Sequence, residues 1–290
     1  MWHQLERTFL RSIGKQSLES LATIPTLMTQ RFLITVGGDQ LTGKSTLSRD
    51  LVDTSQVQSI VSGSIAQRST GQTMRDLAAD KGVDIGELSH LLASNTNKDD
   101  NDEGSTSIVD INLDYKTCQI IMGKHERDAS MLILEGRQPA VMASYCTEQL
   151  SVNQLPFRVY LKCSVREQAL RYVSREVSET ARQEVEKYLP PGDDDQLLSM
   201  ESVLDRITGQ PFAGHDQIVA GFRANMDRDA DDKKRFDLLY GEECHYRNEQ
   251  FYDLIVDTTN IGPQDKVQMV ADGWLEWLVE NNFGSKLVST

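Results

Sequence analysis

Residues 31–46 read Arg31-Phe-Leu-Ile-Thr-Val-Gly-Gly-Asp-Gln-Leu-Thr-Gly-Lys-Ser-Thr46. Phe32 to Val36 is a short apolar run bounded by glycine. It is too short for a helix, and it predicts a buried strand. Gly38-x4-Gly43-Lys44-Ser45 completes the phosphate-binding-loop (P-loop) pattern, and Leu47, Leu51 and Val52 then recur at helical spacing. Strand, glycine loop and helix in that order is the context the pattern requires. The residue types follow from the chemistry. A polyphosphate needs many donors at close range, and backbone N–H groups of a loop and a helix N-terminus supply them where no side chain blocks the approach. Gly38 and Gly43 keep that approach open. Lys44 would set a point charge on the β- and γ-phosphates, and the Ser45 hydroxyl can ligand Mg²⁺. The nucleotide-binding set expected here is Gly38, Asp39, Gln40, Leu41, Thr42, Gly43, Lys44, Ser45 and Thr46.

The chain has 290 residues and a net charge of −14. That length suits one large α/β domain or a domain with a substantial insertion. The acidic balance argues against a general nucleic-acid binder, which needs a basic face. It leaves room for an anionic small molecule, because a local cluster of Lys and Arg can focus a positive field in one cleft. Cys118, Cys146, Cys163 and Cys244 show no metal-ligand spacing and are too few for a disulfide scaffold, so reduced thiols and a cytoplasmic location are expected. No apolar run has the length of a membrane span.

Outward from the loop, residues 1–30 are expected to be an N-terminal arm, with Leu5, Phe9, Leu10 and Ile13 on one face of a helix. Import into an organelle through this basic segment is the alternative, weakened by its acidic residues. Met28 is a candidate start, and removal of residues 1–27 is expected to leave activity unchanged. Val57 to Val61 predicts a second strand. A helix marked by Met74, Leu77 and Ala78 stops at Gly82, and Asp84 with Glu87 starts another that runs into Leu91-Leu92. Asn95 to Thr106 is an acidic solvated loop without EF-hand spacing. Further elements are expected as a helix over 110–122, strands over 131–137 and 157–163, and a helix over 167–177. Pro190-Pro191-Gly192 and Asp193 to Asp195 break up residues 178–216, read as a lid or insertion of short helices. A helix over 222–240, a strand over 252–257 and a helix over 267–278 complete the chain. Five strands alternating with helices predict an α/β fold: a parallel sheet covered on both faces. The site should lie at the carboxyl ends of the strands, where the loop, Glu135 and Asp257 emerge.

GTPases need an Asn-Lys-x-Asp and an Asp-x-x-Gly at strand ends, and neither stands at one here. ATPases and small-molecule kinases remain. Ser69-Thr-Gly-Gln-Thr-Met-Arg75-Asp-Leu-Ala-Ala-Asp-Lys-Gly82 resembles the segment after strand two of cytidylate kinases, nearest the short archaeal type. Leu132-Ile-Leu-Glu135-Gly136-Arg137 resembles that family's strand-three motif. Arg228-x3-Asp232-x2-Arg235 with Tyr240-Gly241 is similar to its lid and acceptor-binding helix, and Tyr252-Asp-Leu-Ile-Val-Asp257-Thr258 to its last strand.

The resemblance spans residues 31 to about 278 in order. It implies the P-loop NTPase fold, MgATP as donor, and CMP or dCMP as acceptor, hence a monomeric nucleoside monophosphate kinase whose partners are small-molecule nucleotides. Ser45 and Glu135 would hold the metal. Thr70, Gly71, Arg75, Gly136, Arg137, Arg228, Asp232 and Arg235 would bind the acceptor. Lys44, Arg137, Arg171, Arg175 and Arg228 would act on the transferring group. Charge logic agrees: two phosphates must approach against repulsion, and Arg forks suit that task. Arg75 and Arg137 follow different strands and are expected to converge on one phosphate. The alternatives are a kinase of another small phosphate or hydroxyl acceptor on this scaffold, and a nucleotide-binding regulatory protein with little turnover.

Overall fold

The computed structural model describes residues 1–24, 31–80, 82–83, 108–150, 152, 154, 156–189 and 199–281. The elements, in chain order, are α1 (His3–Ile13), α2 (Lys15–Ala22), β1 (Phe32–Gly38), α3 (Lys44–Val52), α4 (Ser55–Ile60), β2 (Ile65–Ser69), α5 (Thr70–Asp80), α6 (Ile108–Ile121) and β3 (Met131–Glu135). Then come α7 (Pro139–Gln149), β4 (Pro156–Lys162), α8 (Val165–Glu176), α9 (Glu179–Glu186), α10 (Met200–Ile207), α11 (His215–Tyr240), β5 (Leu254–Asp257) and α12 (Pro263–Glu280). The five strands form one sheet in the order β2-β3-β1-β4-β5, every pairing parallel.

Both faces of the sheet are covered, so its central strands read as continuous apolar runs. Along β3 the side chains alternate between two cores: Leu132 and Leu134 face one, Met131 and Ile133 the other. The first core packs against α6 and α7 through Ile121, Val141, Met142 and Tyr145. The second packs against α3 and α12 through Leu47, Leu51, Trp274 and Leu278. The chain leaves β1 toward the second face and leaves β3 toward the first. These two strands are neighbours, with Val36 opposite Glu135. Their connections diverge at the carboxyl end of the sheet, where the ligand-binding crevice of open parallel sheets lies.

The second strand lies at residues 65–69, not 57–61. Residues 55–60 are α4, where Val57 turns into the core and Ile60 packs against it. Their spacing of three puts them on one helix face. Strand β2 is an edge strand bonded to β3 alone, and Gln67 and Arg68 are not buried. Its sequence, Ile65-Ala-Gln-Arg-Ser69, has no apolar run and so gives little strand signal.

Residues 1–24 are not a detached arm. Leu5, Phe9 and Leu21 are fully buried in the first core. Phe9 packs edge-on against Tyr115, Tyr145 and Tyr240 at ring-centroid distances of 6.1, 6.1 and 6.4 Å. Trp2 Nε1 donates to Glu148 at 2.8 Å, and Thr8 Oγ1 donates to the Leu239 carbonyl at 2.6 Å. Leu10, expected on the apolar face, is exposed.

A third core joins α8, α9, α10 and the first half of α11 through Ala169, Val173, Val185, Ile207 and Phe222. The helical insertion is therefore wider than residues 178–216, since α8 and α11 supply half of its packing. The expected helix from Asp84 to Leu92, the acidic loop from Asn95 to Thr106 and the Pro-Pro-Gly break at 190–192 lie outside the described residues. Among the described residues, no helix is long and apolar enough to cross a membrane.

Candidate active site

The loop after β1 owes its shape to its glycines. Gly38 has φ 139°, and a Cβ there would lie 2.6 Å from the Leu161 carbonyl oxygen of β4. Gly43, which caps α3, has φ 91°. Between them Leu41 takes φ 62°, a conformation that costs a non-glycine residue about 1 kcal/mol or more. Such strain persists where the surroundings over-determine it, and here they do. The Leu41 carbonyl accepts from Arg171 Nη1 at 3.1 Å, the Thr42 carbonyl lies 3.1 Å from Thr258 Oγ1, and Thr42 Oγ1 donates to the Asp39 carbonyl at 2.9 Å. Lys44 turns its ammonium back onto the Asp39 carbonyl.

Strand β3 ends beside this loop. Gly136 N donates to the Val36 carbonyl at 3.1 Å, which sets Glu135 next to the start of α3. Ser45 Oγ donates to Glu135 Oε1 at 3.0 Å. Glu135 is buried, and its other oxygen, Oε2, has no hydrogen-bond partner among the described residues. A buried carboxylate with an idle oxygen beside a serine hydroxyl suits a hard cation. Among the described residues no group of three or more His, Cys, Asp or Glu could hold a metal. Ser45 and Glu135 could supply two oxygen ligands to an ion such as Mg²⁺, whose other ligands commonly come from phosphates and water.

Beyond Glu135, Arg137 forms an ion pair with buried Asp232 of α11. Arg235, one turn on, pairs with both Asp232 and Asp110. Asp114 follows Asp110 by one turn of α6 and accepts from the Tyr240 hydroxyl at 2.6 Å. Burial is the main reason the Asp114 carboxyl is pushed up to about 8, only partly offset by that hydrogen bond. Thus Arg137, Asp232 and Arg235 are brought together, and they meet as ion pairs with one another.

Other expected residues fall elsewhere. Arg75 lies exposed on α5, bonded to Gln72 Oε1 by Nε at 3.1 Å and Nη2 at 2.9 Å. Arg137, expected to share a phosphate with it, pairs with Asp232. Thr70 packs directly against Gly136, and Gly71 follows at the start of α5. Arg171 reaches the loop, whereas Arg175, one turn later, is 61% exposed and paired with its neighbour Glu176. Arg228 lies on α11, its side chain outside the described residues. Asp257 is spent on its own turn: it accepts from Thr259 N at 2.9 Å and Thr259 Oγ1 at 2.6 Å, bonds that hold its carboxyl below the usual range.

Two residues at the loop were not anticipated. Arg247 clamps Asp39 Oδ1 through Nε at 2.8 Å and Nη2 at 2.7 Å, and the Tyr246 hydroxyl donates to the same oxygen at 2.9 Å. Burial works against the Arg247 charge, but Asp39 together with Tyr246 and Tyr160 more than offsets it and leaves Arg247 above its ordinary value. Arg137 and Arg247 also lie over the Tyr246 ring, at 5.8 and 5.4 Å from its centroid. The signal for them is faint: an aromatic-basic pair in the connection before the last strand, where loop residues tend to carry function.

No protein-family model matches the chain, and no curated protein matches it. A solved structure described as an uncharacterized protein from Eubacterium ventriosum ATCC 27560 aligns with 9% identity and a TM-score of 0.38. The alignment covers 84% of this chain and 97% of that one, and a likeness so loose carries no argument.

Proposed function

We propose that this chain is an ATP-dependent phosphotransferase with a P-loop fold, and that its acceptor is a pyrimidine nucleoside monophosphate, CMP or dCMP. The observation that carries the reading is the Ser45–Glu135 contact: a loop hydroxyl and a buried strand-end carboxylate with an idle oxygen, meeting in the crevice between β1 and β3. A bound Mg²⁺ would offset charge between the donor's terminal phosphates. The loop's backbone and the start of α3 would hold the phosphate chain, and Lys44 would leave the Asp39 carbonyl for it. Arg171 comes from the helical unit of α8 to α11, which fits a lid whose closure excludes water. The Arg137–Asp232–Arg235 cluster lies on the β3 side, where a second phosphate and a base could be received. The choice of cytosine rests on the resemblance of that cluster to cytidylate kinases and on Asp232, a carboxylate able to accept from the N4 amino group.

A coupled ADP-release assay with CMP, dCMP, UMP, AMP and GMP tests the reading. CMP or dCMP should be preferred, and Lys44→Ala should retain less than about a tenth of kcat, since it removes charge stabilisation that grows in the transition state. Equal rates on AMP and CMP would sink the cytidylate assignment. Nucleotide binding without turnover on any acceptor would indicate a regulatory protein.

A further inference from the structure

Lys266 has no role in the reading above. It sits in the first turn of α12 and is only 4% exposed. A lysine so far out of water is ordinarily paired, because an isolated ammonium is costly to desolvate. Its backbone N–H donates to the Gly262 carbonyl at 3.1 Å, but its ammonium makes no hydrogen bond or ion pair to any described residue. Its Nζ stands against the open side of Gly43, where a side chain on that residue would begin. Its charged neighbour is another cation, Arg171, whose guanidinium is bonded to the Leu41 carbonyl of the same loop. Burial first, and Arg171 second, pull the Lys266 ammonium below the usual lysine range; Cys163 and Asp50 act the other way without cancelling them.

An unpartnered cation beside a like charge, at a loop built from backbone donors, is an arrangement that an anion relieves. We propose that Lys266 is a binding residue for the donor nucleotide, supplying a second ammonium to the polyphosphate at Gly43 alongside Lys44. The inference rests on the phosphotransfer reading and adds to it a contact from the last helix. It also accounts for glycine at position 43 beyond its backbone angle, because any larger residue would displace Nζ. The competing account is that Lys266 simply lays its aliphatic stem on the core. The two accounts predict opposite responses to a substitution that keeps the stem and removes the charge.

The test is thermal unfolding of the full-length chain with and without MgATP, together with the Kd for MgATP by calorimetry. Wild type, Lys44→Ala, Lys266→Met and Lys266→Arg are compared. Lys266→Met should unfold at or above the wild-type Tm without nucleotide, since an uncompensated charge is gone. Its MgATP-dependent rise in Tm should shrink, with Kd weakened roughly 10- to 100-fold, the range for one charge-assisted contact. Lys266→Arg should keep much of the rise. A Lys266→Met protein with Kd within twofold of wild type overturns the inference, and a lowered Tm with unchanged Kd assigns Lys266 to packing. If wild type shows no MgATP-dependent rise and Lys44→Ala matches it, the nucleotide reading fails and this inference falls with it.

Discussion

Ser45 Oγ and Glu135 Oε1 stand 3.0 Å apart, joining the first residues of one helix to the end of the neighbouring strand. The two residues are 90 positions apart in sequence, and they meet because β1 and β3 are adjacent in the sheet, where Val36 lies opposite Glu135. Glu135→Gln keeps the shape and an acceptor for the serine but removes the charge. It should raise the Mg²⁺ concentration for half-maximal ADP release by roughly 10- to 100-fold, with little change in unfolding midpoint. Metal titration of the steady-state rate reads this directly, and an unchanged midpoint for Mg²⁺ would remove Glu135 from the metal site.

The Arg137–Asp232 pair predicts a stability effect separate from catalysis. Asp232 is buried, and Arg137→Ala leaves it with Arg235 as its ion-pair partner among the described residues. Breaking a buried pair from one side typically costs 3–5 kcal/mol, and the surviving Arg235 should keep the loss near about 3 kcal/mol. Urea unfolding measures it. A loss below about 1 kcal/mol would show that the pair is dispensable to the fold.

Asp114 sets a pH dependence. Its carboxyl is raised to about 8 in the fold, chiefly by burial, against 3.8 for the unreacted side chain. The folded protein therefore holds a proton there that the unfolded chain has lost. This contribution is fully present below about pH 4 and is lost as pH rises toward about 8, at up to roughly 1.4 kcal/mol per pH unit. Asp114→Asn should flatten that part of the profile. Unfolding free energies at pH 5, 6, 7 and 8 for both proteins, with parallel slopes as the contrary result, decide the point.

Phe9 tests whether the first helix belongs to the core. Its ring is fully buried among three tyrosines. Phe9→Ala should cost about 3–5 kcal/mol, and a chain starting at Met28 should lose soluble, folded protein. Recovery of a truncated chain with the wild-type unfolding midpoint would show that the segment is expendable.

Periodicity and glycine spacing in the sequence reach the α/β fold class with its parallel sheet and the strand and loop at residues 32–45, but not their surroundings. The strand and glycine loop at residues 32–45 are legible because backbone angle and close approach demand glycine, and because a strand buried on both faces must be apolar throughout. Edge strand β2 is not legible, because one exposed side frees it from that demand. Nor is the burial of α1, since an amphipathic face shows that a helix packs without saying on what. The tertiary structure alone decides which charges meet. It turns Arg137 to Asp232, leaves Arg75 with Gln72 and sends Asp257 into its own turn. It also carries Arg247 and Lys266 to the loop from more than 200 residues along the chain. Local spacing fixes which residues share a face of one element. Contacts between elements depend on how the sheet orders its strands and where each connection crosses, and no local pattern encodes that.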